Sequence, residues 1–241
     1  MGEHNPPYIV LLGAVGSGKS TIVEKVTVDQ TSPFNAGISA TRKSDPLWAQ
    51  EGQFIICDTP GSNAMGDKFG HNIWIAAAFN YRPVNKILIV VKADSGRLDS
   101  VISNIRDFSD RFVDLPNVPL GVIVTHMDMI TWTASPVGHQ NDFKTAIKDE
   151  VDIDDVIFSD PSLRDQDLKD SILRSCSPSF NLTVNHENFL RLFTKLHKSR
   201  PMEVLCACQR EADIFRGKKQ EFHDQRTKFN QRQQVDLVFE F

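Results

Sequence analysis

The stretch GAVGSGKS at residues 13–20 decides the fold of this chain. It fits the phosphate-binding pattern G-x-x-x-x-G-K-[ST] at every fixed position, and it stands between the apolar run YIVLL at residues 8–12 and a helix-prone segment at residues 19–28. In such a loop the backbone wraps phosphate oxygens, and the amides of the loop and of the helix N-terminus point at them. We therefore expect Lys19 to stabilise charge on the β- and γ-phosphates and the Ser20 hydroxyl to ligate Mg²⁺. The predicted contacts of this loop are Gly13, Ala14, Val15, Gly16, Ser17, Gly18, Lys19, Ser20 and Thr21.

A second motif, DTPG at residues 58–61, comes directly after the apolar run QFIIC at residues 53–57. By itself such a tetrapeptide is a turn signal, but its place after a strand and downstream of the phosphate loop favours a nucleotide motif. A carboxylate there can hold Mg²⁺ through a water, and the following glycine amide can sense a γ-phosphate. We therefore predict that Asp58 serves the metal and that Gly61 contacts the γ-phosphate.

The third motif, THMD at residues 125–128, follows the apolar run LGVIV at residues 120–124. At the mouth of such a strand, Asp128 can accept two hydrogen bonds, from N1 and from the exocyclic amine of guanine. Adenine lacks this pair of donors, so the motif selects guanine nucleotides. Thr125 and His126 are predicted to belong to the same pocket, with the imidazole ring lying over the base.

Short apolar runs alternate with helical patterns along the chain, which is typical of βα units around a parallel sheet. The predicted fold class is α/β, with a mostly parallel sheet of about six strands flanked by helices and the nucleotide at the strand carboxyl ends. The predicted strands are residues 8–12, 53–57, 86–91, 120–124 and 156–158. The predicted helices are residues 19–28, 71–80, 98–112, 142–148 and 188–196. The acidic residues of 149–170, on either side of the strand at 156–158, are interpreted as a solvated loop. Residues 6–199 are expected to form the nucleotide-binding domain, and residues 200–241 a helical extension that ends in a strand.

Together the three motifs resemble those of translation-factor-class P-loop GTPases. In detail the chain resembles the AIG1-type family, which includes immunity-associated GTPases and chloroplast import receptors, with septins as more distant relatives. Its base motif begins with Thr125 rather than asparagine, and Thr41 lies only 17 residues before Asp58, as in a short first switch. The segment GRLD at residues 96–99 is similar to a box that the family carries after its central strand. The resemblance covers residues 8–198.

This resemblance implies a switch protein that hydrolyses GTP with Mg²⁺, forms a homodimer through its nucleotide face and acts on a protein effector. Thr41 would contact the γ-phosphate and Mg²⁺, although Ser39 could take that place. Arg97 would be offered across the dimer as a catalytic arginine, or would be a surface residue without that role. Ser159 stands where the family has an asparagine at the lower edge of the base pocket. Ser62 replaces the glutamine that orients water in Ras-like proteins, so intrinsic hydrolysis should be slow.

Composition narrows the remaining functions. A net charge of −4 provides no basic excess for nucleic acid, and no apolar run approaches the roughly 18 residues of a membrane span. We expect a cytosolic protein, without an indicated membrane contact, whose four cysteines form neither a zinc site nor a disulfide framework. Two alternatives stay open: a scaffold that binds guanine nucleotide without turnover, and an ATP-using P-loop kinase, which Asp128 disfavours. His71 could position water or could be a helix N-terminal residue without chemistry.

Overall fold

The computed structural model describes residues 6–27, 44–61, 68–93, 98–112, 115, 117–129, 136–159, 163–178, 180–182 and 184. The chain divides into two units, Met1–Thr194 and Lys195–Phe241, and all of the described residues belong to the first. Several predictions lie outside the described residues: those on Ser39, Thr41, Ser62 and Arg97, on the helix at 188–196, and on the extension at 200–241.

A single sheet organises the described part of the chain. Its strands are β1 (Tyr8–Leu12), β2 (Asp45–Trp48), β3 (Ile55–Asp58), β4 (Lys86–Lys92), β5 (Leu120–Thr125) and β6 (Val156–Ser159). Their order is β2-β3-β1-β4-β5-β6, with β2 antiparallel to β3 and the other neighbouring pairs parallel. The predicted six-stranded, mostly parallel sheet is thus confirmed. Because parallel strands share one carboxyl edge, the segments that follow β1, β3, β5 and β6 meet there.

Helices cover both faces of the sheet. They are α1 (Lys19–Val26), α2 (Lys68–Tyr81), α3 (Leu98–Ser109), α4 (Pro136–Val151) and α5 (Asp165–Arg174), with 3₁₀ turns at Gln50–Gly52 and Met127–Met129. All five residues of β1 are buried. Alternate residues of this strand pack into two different apolar clusters, one shared with α2, α3 and α4 and the other with α1 and α5. Among the described residues, no helix combines the length and apolarity that a bilayer crossing requires.

The sequence prediction missed β2, the antiparallel edge strand. Its four residues, DPLW, include Pro46, which argues against a strand because proline cannot donate a ladder hydrogen bond. At an edge this loss is tolerated, since only one side of the strand is paired. The hairpin from β2 to β3 turns through Glu51 and Gly52, both with positive φ.

Two helices also differ from the prediction. The helix expected at 142–148 runs over Pro136–Val151, and its first residue is a proline, which fits the first turn of a helix because the missing N–H has no partner there. The acidic segment at 149–170, interpreted as a solvated loop around the predicted strand at 156–158, also contains the first part of α5, which was not predicted. In α5, Leu168 and Ile172 are buried one turn apart, and this short apolar stripe suffices to pack a helix whose other faces are charged.

Candidate nucleotide-binding site

The phosphate loop connects β1 to α1 at the carboxyl edge of the sheet. Gly18 directly precedes α1 and has φ 94° and ψ 12°, a left-handed conformation in which a side chain would be strained. The amides of the loop and of the first turn of α1 are the donors that a helix N-terminus offers to an anion. The local geometry therefore forms an anion cradle.

Lys19 places a cation inside this cradle. Lys19 is 6% exposed. Its Nζ donates hydrogen bonds to the carbonyl oxygens of Gly13, at 3.0 Å, and of Ala14, at 2.9 Å. Burial lowers the pKa of Lys19 to about 8, and the nearby Asp58 carboxylate opposes that shift. A buried ammonium held only by neutral carbonyls has lost its hydration. A phosphate anion beside it would therefore stabilise its charge.

The first two motifs are joined by a side-chain hydrogen bond. Ser20 on α1 donates from Oγ to Oδ2 of Asp58, at the end of β3, over 2.7 Å. Nearby, the buried Thr59 hydroxyl donates to the Leu11 carbonyl at 2.5 Å and fixes the end of β3 against β1. A serine hydroxyl and one carboxylate, completed by phosphate oxygens and waters, form the kind of site that suits Mg²⁺. No group of three or more His, Cys, Asp or Glu among the described residues could hold a metal ion by itself.

Gly61 lies directly against the phosphate loop. A Cβ atom placed on Gly61 would stand 2.5 Å from Cγ2 and 2.7 Å from the backbone nitrogen of Val15, so no larger residue fits without movement of the loop. His71 approaches from the other side, with its Nδ1 at 3.2 Å from the Gly61 carbonyl oxygen. The second motif is therefore in contact with the first through backbone.

A pocket of about 220 Å³ opens beside the cradle. It is lined by Gly18, Thr21, Ile22, Lys25, Thr125, His126, Asp128 and Ser159. These residues come from α1 and the residue before it, from the end of β5 and the turn after it, and from the end of β6. The ends of β5 and β6 lie side by side because the two strands are parallel neighbours. The exposed Asp128 sits in the 3₁₀ turn that follows His126. The four sequence-predicted base contacts thus share one pocket.

Thr125 joins this pocket to the phosphate loop. Its buried Oγ1 lies 2.8 Å from the carbonyl oxygen of Ser17, 3.2 Å from that of Val91 and 2.8 Å from Nδ1 of His126. The two carbonyls compete as acceptors for the single Oγ1 hydrogen, and Nδ1 of His126 either donates to Oγ1 or accepts that hydrogen, according to its tautomer. His126 has φ 59°, and this contact holds the ring in place.

Part of the chain matches a family of known proteins. Residues 8–126 match the family model described as 50S ribosome-binding GTPase. A relative, the chloroplastic translation initiation factor IF-2 of Arabidopsis thaliana, is 30% identical over 99 residues, which make up 39% of this chain and 9% of that protein. The chain thus spans only a small part of this relative's length.

Solved structures extend the likeness beyond the matched segment. Era in complex with MgGDPNP and nucleotides 1506–1542 of 16S ribosomal RNA has a TM-score of 0.55 and 16% identity, over 73% of this chain and 58% of that one. NFeoB from S. thermophilus bound to GDP·AlF4− and K+ has a TM-score of 0.52 and 14% identity, over 74% and 64%. The chain has the fold of a P-loop GTPase. At these identities the likeness concerns the fold.

Within this P-loop GTPase fold, sequence reasoning missed two residues that line the 220 Å³ pocket. Ile22 and Lys25 follow Gly18 and Thr21 on one face of α1. Positions three and four apart on a helix are neighbours, so the spacing of four from Gly18 to Ile22 and from Thr21 to Lys25 could have identified both. It also missed Thr59, whose contact with β1 depends on the pairing of the strands.

The lowered pKa of Lys19 predicts a pH-dependent stability for the nucleotide-free protein. The folded pKa is about 8 and the ordinary value is 10.5, so the unfolded chain binds more protons between these pH values. Unfolding free energy should therefore rise as pH increases through this window. Lys19→Met removes the buried charge and should be more stable than wild type at neutral pH, by at most on the order of 3 kcal/mol.

Urea unfolding of both nucleotide-free proteins, at about pH 7 and about pH 10, checks this expectation. The difference between wild type and Lys19→Met should shrink at the higher pH, because wild-type Lys19 is then mostly neutral in the folded state. A difference that stays constant with pH would contradict it.

Proposed function

We propose that this protein binds GTP and GDP with Mg²⁺ and hydrolyses GTP slowly, as a nucleotide-dependent switch. The observation that carries the proposal is the arrangement at one edge of the sheet. The Lys19 cradle, the Ser20–Asp58 hydrogen bond and the pocket that contains Asp128 follow one another along this edge. A bound guanine nucleotide requires sites in this order, for its phosphates, for the metal ion and for its base.

Each group has a separate task in this proposal. Lys19 and the loop amides hold the phosphates and stabilise the charge that develops during phosphoryl transfer. Ser20 and Asp58 would hold Mg²⁺, which supplies further charge neutralisation when bound. Asp128 accepts hydrogen bonds from N1 and the exocyclic amine of guanine, while Thr125 and His126 set the position of the base. The phosphate loop, from Gly13 to Thr21, encloses the phosphates.

Finer parts of the proposal come from the resemblance to AIG1-type GTPases. Thr41 would complete the γ-phosphate and Mg²⁺ contacts, and Arg97 would act across a homodimer formed through the nucleotide face. Ser159 would close the lower edge of the base pocket. The proposal also includes a cytosolic location and a protein effector. A net charge of −4 gives no support for RNA as the partner.

One experiment tests nucleotide class and turnover together. The purified protein is analysed for bound nucleotide, and displacement of fluorescent GDP by unlabelled GDP or ADP is then measured with Mg²⁺ present. We expect GDP to compete and ADP to fail. Hydrolysis of GTP in single-turnover mode is followed over a range of micromolar protein concentrations, and a rate that rises with concentration supports the dimer. Competition by ADP would refute guanine selection and favour a kinase.

A guanine-nucleotide-dependent scaffold without turnover is the second candidate. It is favoured by the contact between Val15 and Gly61, which occupies the space beside the phosphate loop with apolar and backbone atoms. Hydrolysis requires a residue that orients the attacking water, and neither Val15 nor Gly61 has a polar side chain for that task. Tight GTP binding without measurable single-turnover hydrolysis at any protein concentration would select this candidate over the GTPase.

A further inference from the structure

His71 has a defined contact that the assignments above leave unused. It lies in the first turns of α2, is 8% exposed, and its Nδ1 is 3.2 Å from the carbonyl oxygen of Gly61. A carbonyl oxygen only accepts, so Nδ1 carries the proton and donates. The contact connects the last residue of the DTPG motif to the helix that begins at Lys68.

Gly61 needs such a partner for a physical reason. Its place against Val15 leaves no room for a Cβ atom, and a glycine without a side chain is the residue whose backbone is least restricted. An amide that must point at a phosphate loses binding free energy if it first has to be ordered. A buried hydrogen bond to the carbonyl of the same residue reduces that freedom before a ligand arrives.

Helix α2 has a second contact of similar kind. The hydroxyl of Ser44, next to β2, donates to the backbone carbonyl of Trp74 at 2.6 Å. One helix is thus hydrogen-bonded to the residue that ends the DTPG motif and to the residue that precedes β2. A change at Gly61 would reach α2 through the His71 ring.

We propose that His71 is a positioning residue that orders Gly61 for contact with the γ-phosphate and links this contact to helix α2. This proposal rests on the proposed function, because it assumes that a guanine nucleotide occupies the phosphate loop. His71 touches neither phosphate nor metal in this role. Its contribution is confined to the triphosphate state, since GDP has no γ-phosphate for Gly61 to meet.

Three substitutions at this position separate the role from simple packing. His71→Leu removes the donor. His71→Gln keeps a polar amide but carries its nitrogen beyond the place of Nδ1, whereas His71→Asn puts an amide nitrogen near that place. Phe79→Leu is the matched structural control, because Phe79 is a buried residue of the same helix whose ring packs against Phe112.

The readout is the ratio of the dissociation constants of GDP and of the non-hydrolysable analogue GMPPNP, measured with Mg²⁺ for the full chain. We expect His71→Leu and His71→Gln to lose about five- to tenfold in GMPPNP affinity, the effect of one buried hydrogen bond, with GDP affinity unchanged. His71→Asn should restore the wild-type ratio. Phe79→Leu should lower the melting temperature but leave the ratio of the two dissociation constants unchanged.

The outcomes distinguish this inference from the function beneath it. Equal losses for both nucleotides, or a wild-type ratio in His71→Gln, would overturn the role of His71 while leaving nucleotide binding intact. Wild-type protein that binds neither GDP nor GMPPNP would overturn the proposed function itself. If His71→Leu does not fold, the contrast between the Gln and Asn variants still decides.

Discussion

Lys19→Met is expected to lose at least about 100-fold in affinity for both GDP and GTP, since two charge-assisted hydrogen bonds to phosphates disappear. The same substitution should leave the chain folded. Lys19 is buried, but its ammonium hydrogen-bonds to loop carbonyls, and removing a desolvated charge relieves a cost of folding. One variant thus loses ligand binding and gains stability without ligand.

The matched control is Lys148→Met. Lys148 lies near the end of α4 and pairs with Asp152 and Asp154, at the edge of the sheet from which β6 begins. It undergoes the same chemical change outside the nucleotide pocket, and exposed ion pairs contribute little. Isothermal titration with GDP and Mg²⁺ should show wild-type affinity for this control. A GDP affinity in Lys19→Met that stays within a few-fold of the wild-type value would mean that the phosphates do not lie in this loop.

The place of the three motifs at the carboxyl edge of the sheet could be predicted from sequence because each motif follows an apolar run. A loop that begins where a buried strand ends must emerge at the carboxyl edge of a parallel sheet, so the positions of Lys19, Asp58 and Asp128 followed from strand positions alone. The hydrogen bond between Ser20 and Asp58 is the physical result of that arrangement. Local sequence patterns were sufficient to predict the position of a candidate site residue wherever that residue follows directly after a strand.

Contacts that depend on packing could not be predicted in this way. The edge strand β2 is four residues long and contains Pro46, so its pairing with β3 rather than its own sequence defines it. The acidic segment before and within α5 has too few apolar residues to reveal a helix by periodicity. The His71–Gly61 contact joins residues on different elements, and nothing in the spacing of the two residues specifies a hydrogen bond. Such features arise from the assembled fold.

The base specificity provides the second large expected effect. Asp128→Asn should weaken GTP and GDP about 100-fold, because a carboxylate that accepts two hydrogen bonds from guanine is replaced by an amide that presents a donor to the exocyclic amine. Xanthosine diphosphate should become the better ligand. Its 2-oxo group accepts from the new amide, so the mismatch that weakens one base becomes a match for the other.

Competition of GDP, XDP and ADP against a fluorescent nucleotide measures this exchange directly. Asp152→Asn is the control, because Asp152 is an exposed carboxylate paired with Lys148, away from the pocket that Asp128 lines. The control should keep the wild-type order of affinities. The phosphate contacts are the same for GDP and XDP, so any reversal of preference in Asp128→Asn must come from the base. A variant that still prefers GDP would remove Asp128 from base recognition and leave the 220 Å³ pocket without its selecting group.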